Sequence, residues 1–247
     1  MTLTHKRIIV TGASTGIGRA TALTVAARGA RVAAFDVNDP DGATLVDAVT
    51  QASGSARYWH VDISSEAAVE AAVADATEWL GGGPDVLLHL AGVLKGAAVD
   101  IADLPEATWD SVMDINLKGS FLVSKHVATR MQQQGSGVIV LTASGAGVTG
   151  SSSSYAYGSS KGGVHGLAMV LRGHLAARGI RVNDVCPGNV ISPLKLDAIE
   201  QIFARTGDRA AYEAGLADLV PPEGIAQVMA WLASDEATYV TGTIFTR

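Results

Sequence analysis

Short apolar runs rich in β-branched residues alternate with longer alanine-rich segments along this chain, and this alternation limits its possible folds most. Residues 8–10 (Ile8-Ile9-Val10) form the first run, and residues 16–28 follow with alanine and leucine at helical spacing. Repeated strand-then-helix units require a parallel sheet with right-handed crossovers. We therefore predict an α/β, doubly wound parallel sheet of about seven strands with helices on both faces.

The predicted elements follow these runs in order. The strands cover residues 8–10, 31–35, 58–63, 86–90, 138–141, 180–185 and 242–245, and the helices cover residues 16–28, 41–51, 65–80, 105–134, 157–178 and 222–233. No linker-like stretch divides the chain, so residues 1–247 are predicted to form a single domain. Residues 192–219 interrupt the rhythm as an irregular segment after a strand, a position that predicts a substrate lid.

Composition argues against several classes of function. The chain has 18 Lys and Arg against 24 Asp and Glu, a net charge of −6, and its basic residues are not clustered, so no nucleic-acid partner is expected. The single cysteine, Cys186, and the histidine spacing predict no metal site. We expect a cytoplasmic protein with no membrane partner, because no secretory signal and no apolar stretch of roughly 18 residues is present.

A glycine-rich turn directly follows the first predicted strand and opens a helix. Residues 11–18 read Thr-Gly-Ala-Ser-Thr-Gly-Ile-Gly. Glycines let the backbone approach a pyrophosphate closely, while free amides and the helix dipole face the anion. An ordinary strand-to-helix turn would not need three glycines and three hydroxyl residues together. The residues predicted to bind a dinucleotide here are Gly12, Ser14, Thr15, Gly16, Ile17 and Gly18.

The second predicted strand is followed by Asp36, an acidic residue that can accept hydrogen bonds from both hydroxyls of an adenine ribose. A 2′-phosphate in that place would meet a like charge. At about 4 Å and an effective dielectric constant of 20, the repulsion is on the order of 4 kcal/mol before solvent screening. Asp36 therefore favours NAD over NADP. The alternative reading is that Asp36 only caps the following turn.

Tyr157 and Lys161 lie four residues apart, so a helix places one above the other on one face. Ser144 lies upstream at the end of a predicted strand, where it can reach the tyrosine hydroxyl. A phenol with a pKa of about 10 is a poor base at pH 7, and a pKa near 7 requires roughly 4 kcal/mol. An adjacent ammonium and the positive ring of an oxidised nicotinamide supply energy of that order. The three residues therefore predict hydride-transfer chemistry.

Together these motifs resemble the short-chain dehydrogenase/reductase family, in order and over nearly the whole chain. The motifs that carry the resemblance are the glycine turn of residues 11–18, Ala91-Gly92, Asn116, Ser144, Tyr157 with Lys161, and Pro187-Gly188. The resemblance implies a single-domain Rossmann fold, a nicotinamide cofactor and a homotetramer built on the helices of residues 117–134 and 157–178.

The resemblance also implies a role for each catalytic residue. Tyr157 is the expected general acid/base, and Lys161 is expected to lower its pKa and to hold the nicotinamide ribose. Ser144 is expected to hydrogen-bond the substrate oxygen, and Asn116 to hold a water that links the lysine to solvent. Further cofactor contacts are implied at Asp62, Ile63, Leu90, Ala91, Gly92, Val190 and Ser192.

Three positions depart from the family pattern. His89-Leu90 stands where the family generally has Asn-Asn, so we expect the loss of an amide contact that ties the sheet together. Ser192 replaces the more usual threonine and keeps the hydroxyl. Residues 245–247 (Phe-Thr-Arg) stand where Asp-Gly-Gly commonly follows the last strand, so the C-terminal edge and its subunit contact are expected to differ.

The function predicted from these residues is an NAD-dependent oxidoreductase that interconverts a small-molecule secondary alcohol and a ketone. An NADPH-dependent 3-oxoacyl thioester (acyl-carrier-protein) reductase is the nearest alternative, and Asp36 speaks against it. A sugar epimerase fits the length and the glycine spacing poorly. A nucleotide sensor that has lost the chemistry would bind NAD without turning over any alcohol. The identity of the substrate stays open.

Overall fold

The computed structural model describes residues 2–247 and contains a seven-stranded parallel sheet. Its strands are β1 (Arg7–Thr11), β2 (Arg31–Asp36), β3 (Ser55–His60), β4 (Val86–His89), β5 (Gly137–Thr142), β6 (Ile180–Cys186) and β7 (Gly242–Phe245). They are ordered β3-β2-β1-β4-β5-β6-β7, and every neighbouring pair is parallel. The order reverses between β1 and β4, which opens a crevice at the carboxyl ends of the strands.

Helices cover both faces of the sheet. They are α1 (Gly16–Ala27), α2 (Asp39–Gln51), α3 (Glu66–Leu80), α4 (Glu106–Met113), α5 (Gly119–Gln134), α6 (Tyr155–Leu175), α7 (Pro193–Thr206), α8 (Arg209–Ala217) and α9 (Glu223–Leu232). Ile9 of β1 packs into a core with α3, α5 and α6, while Ile8 and Val10 pack into a second core with α1, α2 and α9. Apolar residues on both sides of one strand explain the continuous apolar run. The predicted doubly wound α/β sheet is confirmed.

Side-chain caps fix where several helices begin. Ser65 accepts a hydrogen bond from the Ala68 amide at the start of α3. At the start of α6, Ser154 accepts one from the Tyr157 amide. These bonds satisfy amides that have no partner inside a helix. The α6 cap therefore sets Tyr157 in the first turn of its helix.

Two predicted elements need more detail. Residues 106–134 form a continuous helical stretch, as predicted, but a π-helical turn, Asp114–Lys118, lies between α4 and α5. The third strand spans Ser55–His60 rather than residues 58–63. Its residues are partly exposed at the sheet edge, whereas Val61 and Ile63 after it are buried in the core. The apolar run thus marked the buried loop rather than the strand.

The prediction of an irregular segment at residues 192–219 is wrong, because most of it forms α7 and α8. Ser192 caps α7 and Asp208 caps α8, and Gly207 ends α7 in the left-handed conformation at φ 64°. The Phe203 and Tyr212 rings hold the two helices together at 4.7 Å between centroids. The predicted domain begins at Met1, which lies outside the described residues, and its limits stay a prediction.

Candidate active site

A cavity of about 800 Å³ lies at the carboxyl ends of the strands, on both sides of the point where the strand order reverses. Most residues predicted from sequence line it. Those residues are Gly12, Thr15, Ile17, Gly18, Asp36, Asp62, Ile63, Leu90, Ala91, Gly92, Ser144, Tyr157, Lys161, Val190 and Ser192. Three predicted residues, Ser14, Gly16 and Asn116, are not among the lining residues.

Two positions of the glycine turn between β1 and α1, Gly12 and Gly18, have no room for a side chain. A Cβ at Gly18 would lie 1.8 Å from the carbonyl oxygen of Gly12, and one at Gly12 would lie 2.7 Å from the backbone of Ala91. Gly16 has a φ of 52° and packs against Ser192 at the start of α7. Thr15 makes no side-chain cap bond, so the first-turn amides of α1 keep their capacity for an anion. The turn fits a pyrophosphate.

Ser14 holds Asp36 from behind the cavity wall. Its backbone amide donates to Asp36 Oδ2 at 2.9 Å, and its buried hydroxyl donates to the Asn38 carbonyl. Asp36 Oδ1 also accepts from the amides of Val37 at 2.8 Å and Asn38 at 3.1 Å. Asp36 therefore caps its turn, as the alternative reading held, and also lines the cavity. A carboxylate has about four acceptor sites, so three backbone donors leave capacity for a ligand hydroxyl.

The wall beyond Asp36 is formed by the segment after β3. Asp62 Oδ1 accepts from the amide of Ser64 at 2.9 Å and from its hydroxyl at 2.7 Å, and these bonds lower the pKa of Asp62. Ile63, Val61 and Phe35 add apolar surface on the same side of the cavity. Val61 and Phe35 were not predicted from the sequence as site residues, although both belong to apolar runs that reach the carboxyl ends of the strands. This wall suits a flat apolar ring with polar edges.

Tyr157 and Ser144 meet at the other end of the cavity. Removal of water raises the pKa of the Tyr157 phenol, while its hydrogen bond with Ser144 lowers that pKa. Ser144 Oγ also accepts from the Ala146 amide at 3.2 Å. Burial of the phenol outweighs the bond with Ser144, so the pKa of Tyr157 lies above its ordinary value, and the lowering expected from Lys161 together with an oxidised nicotinamide stays a prediction.

Lys161 is buried, and its ammonium bonds to a strand rather than to an acid. Nζ donates to the carbonyl oxygen of Thr142 at 2.7 Å and lies 5.8 Å from the centroid of the Tyr157 ring. Burial lowers the pKa of Lys161 to about 8. Thr142, which the sequence reading missed, ends β5 two residues before Ser144. Its carbonyl orients the lysine beside the tyrosine.

Asn116 lies in the π-helical turn and is fully buried. Its Oδ1 accepts from the Val93 amide at 2.8 Å, while Nδ2 donates to the Val93 carbonyl and to Ser160 Oγ, both at 2.9 Å. A Cβ at Gly92 would lie 3.2 Å from Asn116 Oδ1 and 3.4 Å from Lys161 Nζ. Asn116 therefore joins the loop after β4 to α6 directly behind the lysine, with its side-chain amide engaged by protein groups.

The amide contact expected to be absent at residue 89 is replaced by contacts of the His89 imidazole. The buried imidazole ring lies 2.8 Å from Thr11 Oγ1 through Nδ1 and 3.0 Å from Ser120 Oγ through Nε2. It thus connects β4 to β1 and to α5. Burial, followed by the charge of Lys161, lowers the pKa of His89 to about 3, so the ring is neutral at pH 7. At residue 89 an imidazole therefore stands in place of the family's amide, and it contacts both Thr11 and Ser120.

Membrane-spanning helices and groups of metal ligands would indicate other classes of function. Among residues 2–247, no helix has the length and apolar character needed to cross a membrane. Within the same range, no three His, Cys, Asp or Glu side chains are grouped as metal ligands. The cytoplasmic location stays a prediction.

Known proteins match this chain in sequence and in fold. The family model described as short chain dehydrogenase matches residues 6–202. The 3-oxoacyl-[acyl-carrier-protein] reductase FabG of Thermotoga maritima is 34% identical, over 99% of this chain and 96% of its own length. A crystal structure of levodione reductase has a TM-score of 0.92 at 32% identity and covers 98% of this chain and 96% of its own.

A short-chain dehydrogenase from Mycobacterium paratuberculosis bound to NAD has a TM-score of 0.88 at 28% identity, covering 100% of this chain and 97% of its own. The family model extends over most of the chain, and the match in fold extends over nearly all of it. This chain belongs to the short-chain dehydrogenase family, an oxidoreductase family whose members use NAD(P) cofactors.

Proposed function

We propose that this protein is an NAD-dependent oxidoreductase that interconverts a secondary alcohol and a ketone. The observation that carries the proposal is the lining of one cavity. The glycine turn and Asp36 form one end, and Ser144, Tyr157 and Lys161 form the other. A dinucleotide site that runs into a phenol, a hydroxyl and an ammonium suits proton transfer to and from an oxygen next to a transferred hydride.

The cofactor would be held mainly by backbone. The amides of Gly16, Ile17 and Gly18 would face the pyrophosphate, and Asp36 would accept from the adenine ribose. Asp62 and Ile63 would flank the adenine. The nicotinamide half would lie against Leu90, Ala91, Gly92, Val190 and Ser192, all of which line the cavity. The bound nicotinamide supplies the hydride acceptor in oxidation and the hydride donor in reduction.

Proton transfer would be the work of Tyr157. Its phenolate would take the proton from the alcohol hydroxyl, and its phenol would return one to the ketone oxygen. Ser144 Oγ accepts from the Ala146 amide, and its single proton, which the Tyr157 oxygen accepts in this structure, would be donated to the substrate oxygen when substrate is bound. Lys161, held by Thr142, places a positive charge beside the phenolate. Asn116 would support this arrangement from behind, through Val93 and Ser160.

The preference for NAD is supported by the charge at the end of β2. Asp36 is held in the wall by three backbone amides, so it cannot swing away from a 2′-phosphate without losing them. The residue that follows is Val37, which offers no positive charge. The similarity to the solved dehydrogenase bound to NAD agrees with this preference. The similarity to the FabG reductase keeps the 3-oxoacyl thioester reductase as the second candidate.

Calorimetric titration of the purified protein with NADH and NADPH, side by side, tests the cofactor assignment. We expect NADH to bind at least about tenfold more tightly, which corresponds to about 1.4 kcal/mol. Asp36→Asn should narrow this preference. Asp47→Asn, the same change of charge at an exposed position of α2, should leave it intact. Tighter binding of NADPH would overturn the NAD assignment and favour the thioester reductase.

A panel of secondary alcohols with NAD, followed by the absorbance of NADH, tests the reaction. Turnover of at least one alcohol or, in reverse, one ketone is expected. Binding of NADH without turnover of either class would instead favour a nucleotide sensor that has lost the chemistry.

We also propose that α7 and α8 act as the substrate lid and that the protein is a homotetramer. Leu194, Lys195 and Ile202 of α7 line the cavity, which supports the lid. Phe121 of α5 and Met169 of α6 are large apolar side chains with 48% and 54% exposure, which supports a subunit contact on these helices. Hydrogen exchange of α7 with and without NADH tests the lid, and sedimentation tests the tetramer.

A further inference from the structure

His89 is a buried polar side chain that the proposed reaction does not use directly. It ends β4 with 1% of its surface exposed, and both ring nitrogens have a partner. Burying an imidazole costs free energy unless its nitrogens are hydrogen-bonded, and a leucine could fill the space without that requirement. The two partners, Thr11 and Ser120, therefore define what the ring is placed to do.

The hydrogen bonds around His89 form a chain in which each group donates to the next in the same order. Ser120 Oγ donates to the carbonyl oxygen of Asn116 at 2.5 Å, so its proton is used and it accepts from His89 Nε2–H. A neutral ring then has a bare Nδ1, which accepts from the hydroxyl of Thr11. Thr11 Oγ1 in turn accepts from the amides of Leu90 and Ala91, each at 3.2 Å. Every group in this His89 chain (Thr11, His89, Ser120, Asn116) is satisfied in one arrangement.

The two ends of the His89 chain lie at different parts of the site. At the Thr11 end, Leu90 and Ala91 line the cavity where the cofactor would lie. At the Ser120 end, the Asn116 carbonyl belongs to the π-helical turn Asp114–Lys118, where the helical hydrogen-bond ladder is shifted. The Asn116 side chain holds Ser160, the neighbour of Lys161. A displacement at either end therefore moves groups that the proposed reaction requires.

We propose that His89 is a positioning residue that holds the cofactor wall at Leu90-Ala91 and the π-helical turn of Asn116 in a fixed relation through its two ring nitrogens. This inference rests on the proposed function for its catalytic consequence, but not for the tautomer and the two contacts. His89 does not line the cavity. It acts through Thr11 on one side and through Ser120 on the other.

Two substitutions separate the two halves of the His89 chain. The amide of His89→Asn reaches about as far as Nδ1 and can still accept from Thr11, but it is too short for Ser120. The amide of His89→Gln extends towards Nε2 and can donate to Ser120, but it leaves the Thr11 hydroxyl without its acceptor. A side chain that only filled space would give the same defect in both variants, scaled by the loss of stability.

We expect His89→Asn to lower kcat about tenfold with the Kd for NADH within about twofold of the unmodified protein. We expect His89→Gln to raise that Kd about fivefold with a smaller loss of kcat. Parallel losses of kcat and cofactor affinity in both variants, or no change in either, would overturn the proposal.

Ser120→Ala and Ser124→Ala provide the matched control on α5. Both serines are buried one turn apart, but Ser124 Oγ has no hydrogen-bond partner and lies outside the His89 chain. Ser120→Ala should reproduce the kcat loss of His89→Asn, and Ser124→Ala should change neither constant by more than about twofold. Equal effects of the two serines would overturn the proposal, even if substitutions at residue 89 fail to fold.

Two readouts do not depend on turnover. Nuclear magnetic resonance of the free protein should show a neutral imidazole with its proton on Nε2. Amide hydrogen exchange should accelerate at residues 114–118 in His89→Asn and at residues 90–91 in His89→Gln. The opposite tautomer, or uniform acceleration, would overturn the positioning role. Failure of the unmodified protein to oxidise any alcohol would instead count against the proposed function alone.

Discussion

The two ends of the cavity are built differently. The glycine turn has positions without a side chain, Gly12 and Gly18, whereas the other end has buried polar side chains, Tyr157 and Lys161. A Cβ at Gly18 would overlap the carbonyl oxygen of Gly12, and a Cβ at Gly12 would overlap the backbone of Ala91. Around Tyr157 and Lys161 the backbone is ordinary helix, and desolvation changes the pKa of both side chains. In the proposed function, one end would bind the cofactor through backbone amides and shape, and the other would react through groups held in an environment that disfavours their charged forms.

Because the two ends are built differently, we expect substitutions at the glycine turn and substitutions at the buried polar side chains to have different effects. Damage to the turn should weaken cofactor binding through steric overlap, and pH should have little influence on it. Damage to the buried side chains should remove chemistry while leaving the cofactor bound, and it should change how stability depends on pH. Variants at Tyr157, Lys161 and Gly18 test this contrast in order of decreasing effect.

Tyr157→Phe should have the largest effect. Removal of the hydroxyl takes away the group that exchanges a proton with the substrate, and general acid–base catalysis contributes about 10²- to 10⁴-fold. We expect kcat to fall by about 10³-fold, or about 4 kcal/mol, while the Kd for NADH stays within about twofold. Steady-state turnover and calorimetry on the same preparation measure the two constants.

Tyr155→Phe is the control for that variant. Tyr155 lies two residues earlier at the start of α6 and is 48% exposed, so losing its hydroxyl should change neither constant appreciably. Retention of more than a few per cent of the rate in Tyr157→Phe would remove Tyr157 from the acid–base role. If Tyr157→Phe also weakened NADH binding as strongly as it lowered kcat, the two ends of the cavity would not differ in the way proposed.

The sequence predicts the glycine turn and the Tyr157–Lys161 pair well because each follows from local geometry. A carbonyl oxygen 1.8 Å from a Cβ position admits only glycine, and a helix aligns side chains four residues apart. The π-helical turn at Asn116 and the contacts of His89 are not local. The partners of His89 lie 78 and 31 positions away, and no short pattern signals a buried ring that requires both. The bounds of α7 and α8 were not predicted for a different reason, because their caps, Ser192 and Asp208, are residue types that also occur in loops.

Lys161→Met should have the second largest effect, and it should stabilise the fold. Burial lowers the pKa of Lys161 from 10.5 to about 8, and at 1.36 kcal/mol per tenfold change in proton affinity the charged lysine costs roughly 3 kcal/mol at pH 7. The lost bond to Thr142 offsets about 1 kcal/mol of the gain. We expect the free energy of unfolding to rise by about 2 kcal/mol at pH 7, while kcat falls about 10²-fold, less than in Tyr157→Phe.

The sign of the pH dependence is fixed by the direction of that pKa change. Between about pH 8 and 10.5 the unfolded chain binds this proton and the folded chain does not, so the unmodified protein gains stability as the pH rises. The advantage of Lys161→Met should therefore disappear over that window in urea titrations. Lys118→Met, at a lysine with 52% side-chain exposure, should change the free energy of unfolding by less than about 0.5 kcal/mol. If Lys161→Met were less stable than the unmodified protein at pH 7, favourable contacts would outweigh the desolvation cost of the charged lysine. The tyrosine end of the cavity would then not be destabilised by its buried charge.

Gly18→Ala should give the smallest of these effects on function, and this effect should show little dependence on pH. Its Cβ would overlap the carbonyl oxygen of Gly12 at 1.8 Å, so the turn must shift, and forced overpacking costs about 1 to 3 kcal/mol. We expect the Kd for NADH to rise about tenfold, because the displaced amides no longer converge on one anion. Gly224→Ala in α9 is the matched change in open space, with nothing within 4 Å of the added carbon, and it should stabilise the helix by about 0.5 to 1 kcal/mol without changing the Kd. If Gly18→Ala bound NADH normally, the amides of this turn would not be the anchor of the cofactor, and the shape of the turn would serve only the packing of α1 against the sheet.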